Sequence, residues 1–297
     1  MLRRMTGSPW LRRVVKGIIG AVPGRWLEPA RRSYVARPGG IGARGRRLVL
    51  DAARLRGVPD GPFAVPGRPD LLMVGSDSYI TGHVFWLGLD SYEPGGPAWW
   101  AALVATHDAV LEVGANVGLY TMFGARAAPG HRYVAIEPNP ASCGVLRRNL
   151  TLNGLEHVTV LEAAVVGAGA PPTVDLCFPD RDVYAASAGA FVDGAVDLAT
   201  PATRRLSVPA VAMPELVHGV ELVKLDIEGL ELDVLSSVRR WLIDTAPTIV
   251  VEVRDDAVHL QRFLVDLVSE AGYGCHAVVA GRVQAVELDA ITTGQLQ

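Results

Sequence analysis

The sequence has few cysteines, no long apolar run and, beyond its first 48 residues, no basic patch interleaved with aromatic side chains. Its three cysteines, Cys143, Cys177 and Cys275, are scattered among 297 residues, which excludes a disulfide framework and is typical of reduced thiols in a cytosolic protein. No apolar stretch approaches the roughly 20 residues that span a bilayer. The missing basic and aromatic patch argues against nucleic acid as a partner.

The charge is distributed unevenly along the chain. Residues 1–48 hold twelve Arg or Lys and one acid, Glu28, whereas the remainder carries 16 basic and 30 acidic residues. Residues 10–22 could form a short amphipathic helix with a basic face. Such a helix either packs on its own domain or makes peripheral contact with anionic lipid at the inner membrane face. Its interrupting cations and the absence of a cleavage pattern argue against a secretory signal, so a cytoplasmic location is predicted.

Glycine and proline clusters divide the chain into two regions. The clusters at residues 36–47 and 57–70 favour a boundary between a basic extension with a cover, residues 1–100, and a domain at residues 101–297. One or two strands are predicted within residues 71–88. From residue 101 onward, apolar strands alternate with helical segments, which predicts an α/β domain with a doubly wound, mostly parallel sheet.

Four further stretches are predicted to be strands. Residues 158–166 are read as one strand of the parallel sheet, and residues 273–279 as a later strand of the same series. Edge strands are predicted at residues 173–178 and 205–210.

The stretch VLEVGANVGLYT, residues 110–121, places Gly114, Asn116 and Gly118 between an apolar strand and a helix. Ligands bind at the carboxyl ends of strands in such sheets, and backbone N–H groups at a helix start favour a carboxylate or phosphate. The spacing is shorter than the Gly-x-Gly-x-x-Gly of dinucleotide-binding folds, which weakens an NAD or FAD assignment. A tight turn without a ligand is the alternative.

An acid follows the next strand at an informative distance. Glu137 lies 25 residues after Glu112, near the offset at which an acid accepts hydrogen bonds from a ribose diol. The ligand is therefore predicted to contain a ribose. A second, structural explanation is available for the neighbouring Asn139, which could cap the following helix.

Three motifs in order resemble the class I S-adenosylmethionine-dependent methyltransferases and, more narrowly, the FkbM family. They are VLEVGANVGLYT, AIEPNP and VKLDIEGLELDVL, of which the last is similar to the family's Lys-x-Asp-x-Glu-Gly-x-Glu signature. The family commonly has Asp where this chain has Glu112, and a bulkier aliphatic residue where it has Val117. The resemblance implies the Rossmann-like class I methyltransferase fold, with S-adenosylmethionine as cofactor.

The resemblance also implies which residues contact that cofactor. The methionine part would lie against the glycine loop, the ribose against the acid after the second strand, and the adenine against the end of the third strand. In that order, the residues are Glu112, Gly114, Asn116 and Gly118, then Glu137, then Glu162 and Ala163.

Two acids are the main candidates for the chemical step. Asp226 and Glu252 each end an apolar strand, and adjacent parallel strands lie about 4.8 Å apart. One of them could accept the proton of a hydroxyl while the other orients it. Alternatively, Asp226 caps a helix beginning near Gly229 and Glu252 pairs with Arg254.

Other candidates have weaker patterns. Glu228 and Glu231 either interact with the N-terminal dipole of that helix or orient the substrate, and Lys224 is interpreted as a charge partner of these acids. His83, in the cover region, is a further candidate base. No metal is expected, although Asp226, Glu228 and Glu252 could present oxygen ligands to Mg²⁺.

The predicted function is O-methylation of a hydroxyl on a small molecule or glycan, with sugars, glycolipids and polyketide-type natural products as the acceptor classes that the resemblance implies. The alternatives are N- or carboxyl-methylation with the same cofactor, and a non-catalytic S-adenosylmethionine-binding or scaffold protein.

Overall fold

The computed structural model of the chain describes residues 31–32, 35, 57–58, 60–179, 191–192, 202–254, 256–279 and 281–286. The chain divides into two compact units, Met1–Tyr92 and Glu93–Gln297.

The first unit contains a β-hairpin and a buried helix. Strands β1 (Pro62–Val65) and β2 (Arg68–Val74) pair antiparallel, and helix α1 spans Tyr79–Leu87. The aromatic rings of Phe63 and Phe85 meet edge to face at 5.0 Å. Of the one or two strands predicted within residues 71–88, one is confirmed as the end of β2, and a second is wrong because Tyr79–Leu87 forms α1. Seven of the nine residues of α1 are buried, so it has little polar face and shows no helical period in the sequence.

The second unit begins with helix α2 and contains most of the strands. In chain order its elements are α2 (Gly96–Val104), β3 (Ala109–Val113), α3 (Leu119–Ala127), β4 (Arg132–Ile136), α4 (Pro140–Leu152), β5 (Thr159–Leu161), β6 (Ala164–Val166), β7 (Thr173–Pro179), β8 (Phe191–Val192), β9 (Ala202–Ala212), β10 (Leu222–Leu225), α5 (Glu231–Ser237), α6 (Arg239–Thr245), β11 (Thr248–Val251), α7 (Val258–Ala271), β12 (His276–Val279) and β13 (Arg282–Ala285). One-turn 3₁₀ helices lie at Leu89–Ser91, in the first unit, and at Met213–Glu215.

A five-stranded parallel sheet forms the centre of the second unit. Its strand order is β11-β10-β3-β4-β5, so the chain runs outward from β3 to one edge and then returns to the other side of β3. This is the doubly wound order, and its reversal point lies between β3 and β10. The predicted α/β fold class, a Rossmann-like doubly wound sheet, is confirmed.

The two faces of this sheet bury different side chains because successive residues of a strand point to opposite sides. Leu111, Val113 and Leu225 belong to an apolar cluster that includes Val234 of α5 and Leu260 of α7. On the other face lie Glu112 and Lys224, which are paired in register, and Tyr133, whose hydroxyl accepts a hydrogen bond from Trp100 of α2. Helices therefore cover both faces, as predicted.

Several predicted strands join other sheets. Residues 158–166 do not form one strand, because Glu162 and Ala163 lie between β5 and β6 and belong to neither. Strand β5 belongs to the central sheet, and β6 belongs to a four-stranded sheet of order β6-β9-β7-β8. The predicted strands at residues 173–178 and 205–210 are present as β7 and β9 in that second sheet. The last predicted strand does not continue the central series, because β12 forms an antiparallel hairpin with β13.

The predicted basic helix at residues 10–22 lies outside the described residues, and its membrane contact stays a prediction. Among the residues that the structure describes, no helix is long and apolar enough to cross a membrane.

Candidate functional site

Four residues meet at the carboxyl edge of the central sheet, where each follows the last residue of its strand. The backbone N–H groups of Gly114, Glu137, Asp226 and Glu252 donate to carbonyls of the neighbouring strands, at 2.9, 3.0, 3.1 and 3.1 Å. The register therefore continues one step beyond the strands and brings these residues into one row. Because the row includes the reversal point between β3 and β10, it lies where a doubly wound sheet binds its ligand.

The glycine loop after β3 can form only with its particular residues. Gly114 has a φ of 87° and Gly118 one of 85°, and Asn116 adopts the left-handed conformation at 51°. Asn is among the few residues that tolerate this conformation, and its side-chain oxygen accepts a hydrogen bond from Val117 N at 2.9 Å. A Cβ atom at Gly114 would collide with the carbonyl oxygen of Asp226. The loop is thus held directly against the end of β10.

Glu137 is a buried carboxyl that faces the glycine loop. It is 7% exposed and accepts hydrogen bonds from Asn116 N at 2.8 Å and Asn139 N at 2.9 Å. Burial raises the pKa of Glu137 to about 7, although both backbone N–H groups favour the charged form. The structure also confirms that Asn139 caps α4, since its side chain accepts from Ala141 N at 3.0 Å.

We expect Glu137→Gln to flatten the pH dependence of stability. The pKa of Glu137 is about 7 in the folded chain against an ordinary value of 4.5, so between these values the folded state keeps a proton that the unfolded state has lost. Rising pH therefore lowers the free energy of unfolding, by on the order of 3 kcal/mol across this window. Urea denaturation at a series of pH values measures the slope. An equal slope in the wild type and the variant would contradict the raised pKa of Glu137.

Asp226 and Glu252 form a carboxyl pair on the rim. They are hydrogen-bonded to each other, and Lys224 Nζ donates to Asp226 Oδ2 at 2.9 Å. Burial alone would raise the pKa of Asp226, but the Lys224 ammonium outweighs it and holds that pKa below its ordinary value. Partial burial and the Asp226 charge raise the pKa of Glu252 to about 8. The Lys224 contact thus favours an ionised Asp226, and the Asp226 charge in turn favours a protonated Glu252 at neutral pH.

The contacts of Asp226 and Glu252 do not support the alternative roles of a helix cap and of an ion-pair partner of Arg254. Glu252 does not pair with Arg254, because Arg254 binds Asp256 at 2.9 Å. Helix α5 begins at Glu231, two residues later than predicted, and no side chain caps its start. Asp226 therefore does not serve as its cap.

Glu112 lies inside the sheet face beside Lys224. It is 1% exposed and accepts a hydrogen bond from the Tyr133 hydroxyl at 2.6 Å. Burial raises the pKa of Glu112, and the Lys224 ammonium opposes the rise. Its carboxyl is thus joined to the rim through Lys224 and Asp226, which explains an acid within an apolar strand.

The two other acids of the signature have different environments. Glu231 is buried and accepts hydrogen bonds from Ile227 N at 3.1 Å and Gly229 N at 2.9 Å, so it fixes the loop after β10. This favours the structural role over substrate orientation. Glu228 is partly exposed and adopts a φ of 56°, a conformation that a non-glycine residue keeps only at some cost. Its pKa is raised by burial and by Asp226.

The remaining candidates lie apart from this cluster or in the other unit. Glu162 and Ala163 follow β5, one strand beyond Glu137, and Glu162 binds Arg147 at 2.7 Å. His83 belongs to the first unit, where its Nδ1 lies 3.3 Å from the Tyr79 carbonyl and its ring 4.0 Å from the Tyr79 ring. Its role as a base stays a prediction. Within the described ranges, no group of three or more His, Cys, Asp or Glu side chains is placed to hold a metal ion.

Two residues near the acid pair carry no recognisable sequence signal. Tyr120 lies with its ring 4.9 Å from Lys224 Nζ, and its hydroxyl donates to Glu93. Tyr120 stands within the glycine-loop motif, where only the glycines and the acid attract attention. Glu93 lies in a stretch of loop with no motif.

Comparison with known proteins agrees with this geometry. The sequence pattern of the methyltransferase FkbM domain matches residues 112–275. Methyltransferase 1 of Beauveria bassiana (strain ARSEF 2860) is 27% identical over 164 residues, which cover 49% of this chain and 64% of that protein. Methyltransferase sdnD of Sordaria araneosa is 28% identical over 170 residues, covering 48% and 65%. The match thus spans slightly less than two thirds of each relative.

Two solved structures overlap with the chain in part. FkbM from Methylobacillus flagellatus KT covers 67% of this chain and 48% of its own at 15% identity, with a TM-score of 0.39. Precorrin-6y C5,15-methyltransferase from Geobacter metallireducens GS-15 covers 62% and 74% at 19% identity, with a TM-score of 0.36. The fold assignment rests on the strand order and register described above.

Proposed function

The chain belongs to the methyltransferase FkbM domain family, and from this premise we propose that it transfers a methyl group from S-adenosylmethionine to a hydroxyl. The acceptor classes proposed are a sugar, a glycolipid or a polyketide-type natural product. The observation that carries the proposal is the row of Gly114, Glu137, Asp226 and Glu252 along one edge of the sheet, with the carboxyl pair beside the glycine loop.

The residues present fit S-adenosylmethionine. Gly114 and Gly118 keep side chains away from the loop, so a ligand can approach its backbone closely. Glu137 offers a buried carboxyl whose oxygens retain lone pairs for a ribose diol, and Glu162 and Ala163 would border the adenine. The acidic rim favours the positive charges of the cofactor. When bound, S-adenosylmethionine would supply an activated methyl group.

The carboxyl pair provides a proton acceptor. A hydroxyl must lose its proton as it attacks, and Glu252, once ionised, is the stronger base because its pKa is about 8. Asp226 remains ionised beside Lys224 and can orient the hydroxyl. The rest of the rate enhancement would come from alignment and exclusion of water.

The charge of the rim favours a hydroxyl over a carboxylate acceptor. The Asp226 charge raises the pKa values of Glu228 and Glu252, and the Glu228 charge also raises that of Glu252. A further carboxylate placed among them would be repelled. An amine would be attracted but would first have to lose its own proton, so methylation of nitrogen is an outcome that the experiment must distinguish.

Transfer of a ¹³C-labelled methyl group tests the proposal. The full chain is incubated with labelled S-adenosylmethionine and fractionated cell extract, and mass spectrometry identifies components that gain one labelled methyl group. We expect a product whose methyl carbon has the NMR shift of an oxygen-linked methyl, formed with wild-type protein and nearly absent with Glu252→Gln. A nitrogen-linked methyl would overturn the hydroxyl specificity, and equal labelling with both proteins would overturn the role of Glu252 as the base.

Glu137→Ala should weaken cofactor binding. The substitution leaves the ribose hydroxyls without their acceptor inside a buried site, which costs about 1–3 kcal/mol, or about 5- to 150-fold in Kd. Titration calorimetry measures the difference. Glu156→Ala, at an exposed position before β5, is the control and should bind normally. Unchanged affinity in Glu137→Ala would refute the ribose assignment.

A further inference from the structure

Lys224 is a buried cation in the middle of the candidate site. It is 8% exposed, and a buried ammonium is costly unless it is paired. Its Nζ donates to Asp226 Oδ2 at 2.9 Å, and Glu112 lies directly opposite it on β3. The Asp226 carboxylate thus binds the ammonium directly, and the charge of Glu112 attracts it from the neighbouring strand.

The Tyr120 ring also contacts the Lys224 ammonium. Its centroid lies 4.9 Å from Nζ, a distance at which a cation is attracted to the face of an aromatic ring. The Tyr120 hydroxyl donates to Glu93, and a Cβ atom at Gly96 would collide with that hydroxyl. Glycine at position 96 therefore lets the ring lie against the start of α2, where Glu93 holds it.

We propose that Lys224 is the positioning residue of the carboxyl pair: held by Asp226 and the Tyr120 ring beside Glu112, its ammonium fixes the Asp226 carboxylate so that the proton of the pair lies on Glu252. The significance of this arrangement for catalysis rests on the proposed function. The arrangement itself depends on neither cofactor nor acceptor.

The charges around the pair give the direction of the effect. Lys224 on β10 is positive, whereas Glu112 on β3, Glu137 on β4 and Glu228 on the following loop are acids. The Lys224 charge lowers the pKa of Asp226 and also opposes the rise at Glu252. Removing this cation should therefore raise the pKa values of both carboxyls, because these acids would remain around them. Arg254, the cation after β11, acts on Glu228 and is bound to Asp256.

Titration of the Glu252 carboxyl carbon by ¹³C NMR tests the proposal on the full chain without added ligand. The resonance is assigned by its loss in Glu252→Gln. In the wild type we expect a midpoint at about pH 8. In Lys224→Met the midpoint should rise, by about one pH unit, because the Lys224 charge opposes the rise at Glu252. Lys224→Arg, which keeps the charge, should shift it far less.

A second variant separates this effect from misfolding. Lys224→Met leaves Glu112 as an unpaired buried acid, so the double variant Lys224→Met with Glu112→Gln removes both charges and keeps an acceptor for the Tyr133 hydroxyl. The Glu252 midpoint should also rise in this folded double variant. An unchanged midpoint in the double variant, or an equal rise in Lys224→Arg, would overturn the proposal. Failure of methyl transfer with a normal titration would instead refute the proposed function alone.

Discussion

Replacing Glu252 with Gln is expected to lower turnover by roughly 10²-fold or more, the usual scale of general-base catalysis. The amide keeps the shape of the side chain but cannot accept the proton. In the wild type, turnover should rise with pH through about 8, because Glu252 ionises there and only its ionised form is a base. The variant should lose this rise. Steady-state rates over a pH series with an identified hydroxyl acceptor measure both effects.

A control and a second variant make this result specific. Glu156→Gln removes an exposed carboxyl away from the pair and should retain the wild-type rate and pH profile. In Asp226→Asn, the charge that raises the pKa of Glu252 is lost, so the rise in rate should move to lower pH. Full turnover in both Glu252→Gln and Asp226→Asn would mean that alignment and exclusion of water account for the rate. A loss of cofactor affinity that matches the loss of turnover would instead place these acids in the cofactor site.

Gly114→Ala should abolish cofactor binding and destabilise the chain. The alanine would have to keep the left-handed backbone conformation at φ 87°, and its methyl group would collide with the Asp226 carbonyl oxygen. The conformation alone costs roughly 1–2 kcal/mol, and relieving the collision requires a shift of the backbone between β3 and β10. Thermal denaturation and titration calorimetry measure the two effects.

Gly130→Ala is the matched control for this substitution. Gly130 has a φ of 92°, but a Cβ atom there would meet nothing within 4 Å. The two alanine variants therefore share the conformational cost and differ in the collision. If Gly114→Ala and Gly130→Ala lost equal stability and both bound the cofactor, the contact between the glycine loop and β10 would be irrelevant to the site.

The central sheet could be predicted because its strands are strongly apolar and short, and because each ends at a polar or glycine residue. The same pattern placed Gly114, Glu137, Asp226 and Glu252 at strand ends, and the structure brings these four together. The strand prediction was wrong where the local pattern of apolar residues does not show which sheet each part of the stretch joins. Residues 158–166 are mostly apolar, and the pairing of β5 and β6 with different sheets places a break at Glu162.

The network below the rim shows a second limit of the sequence. Tyr133 and Trp100 contact Glu112 through a chain of two hydrogen bonds, and these residues are distant in sequence and belong to no shared motif. Lys224 could be interpreted as a charge partner because it stands two residues before Asp226 and so shares its face of the strand. The Tyr120 contact could not be foreseen, since it depends on the packing of α2 against α3. Local patterns thus identified the acids, and tertiary packing determined their protonation.

Titration calorimetry of the wild-type chain with S-adenosylmethionine tests the central claim most directly. The account predicts saturable binding at a single site near neutral pH, weakened by about 5- to 150-fold in Glu137→Ala and lost in Gly114→Ala. Absence of binding to the folded wild-type chain would contradict the claim that this row of residues forms an S-adenosylmethionine site.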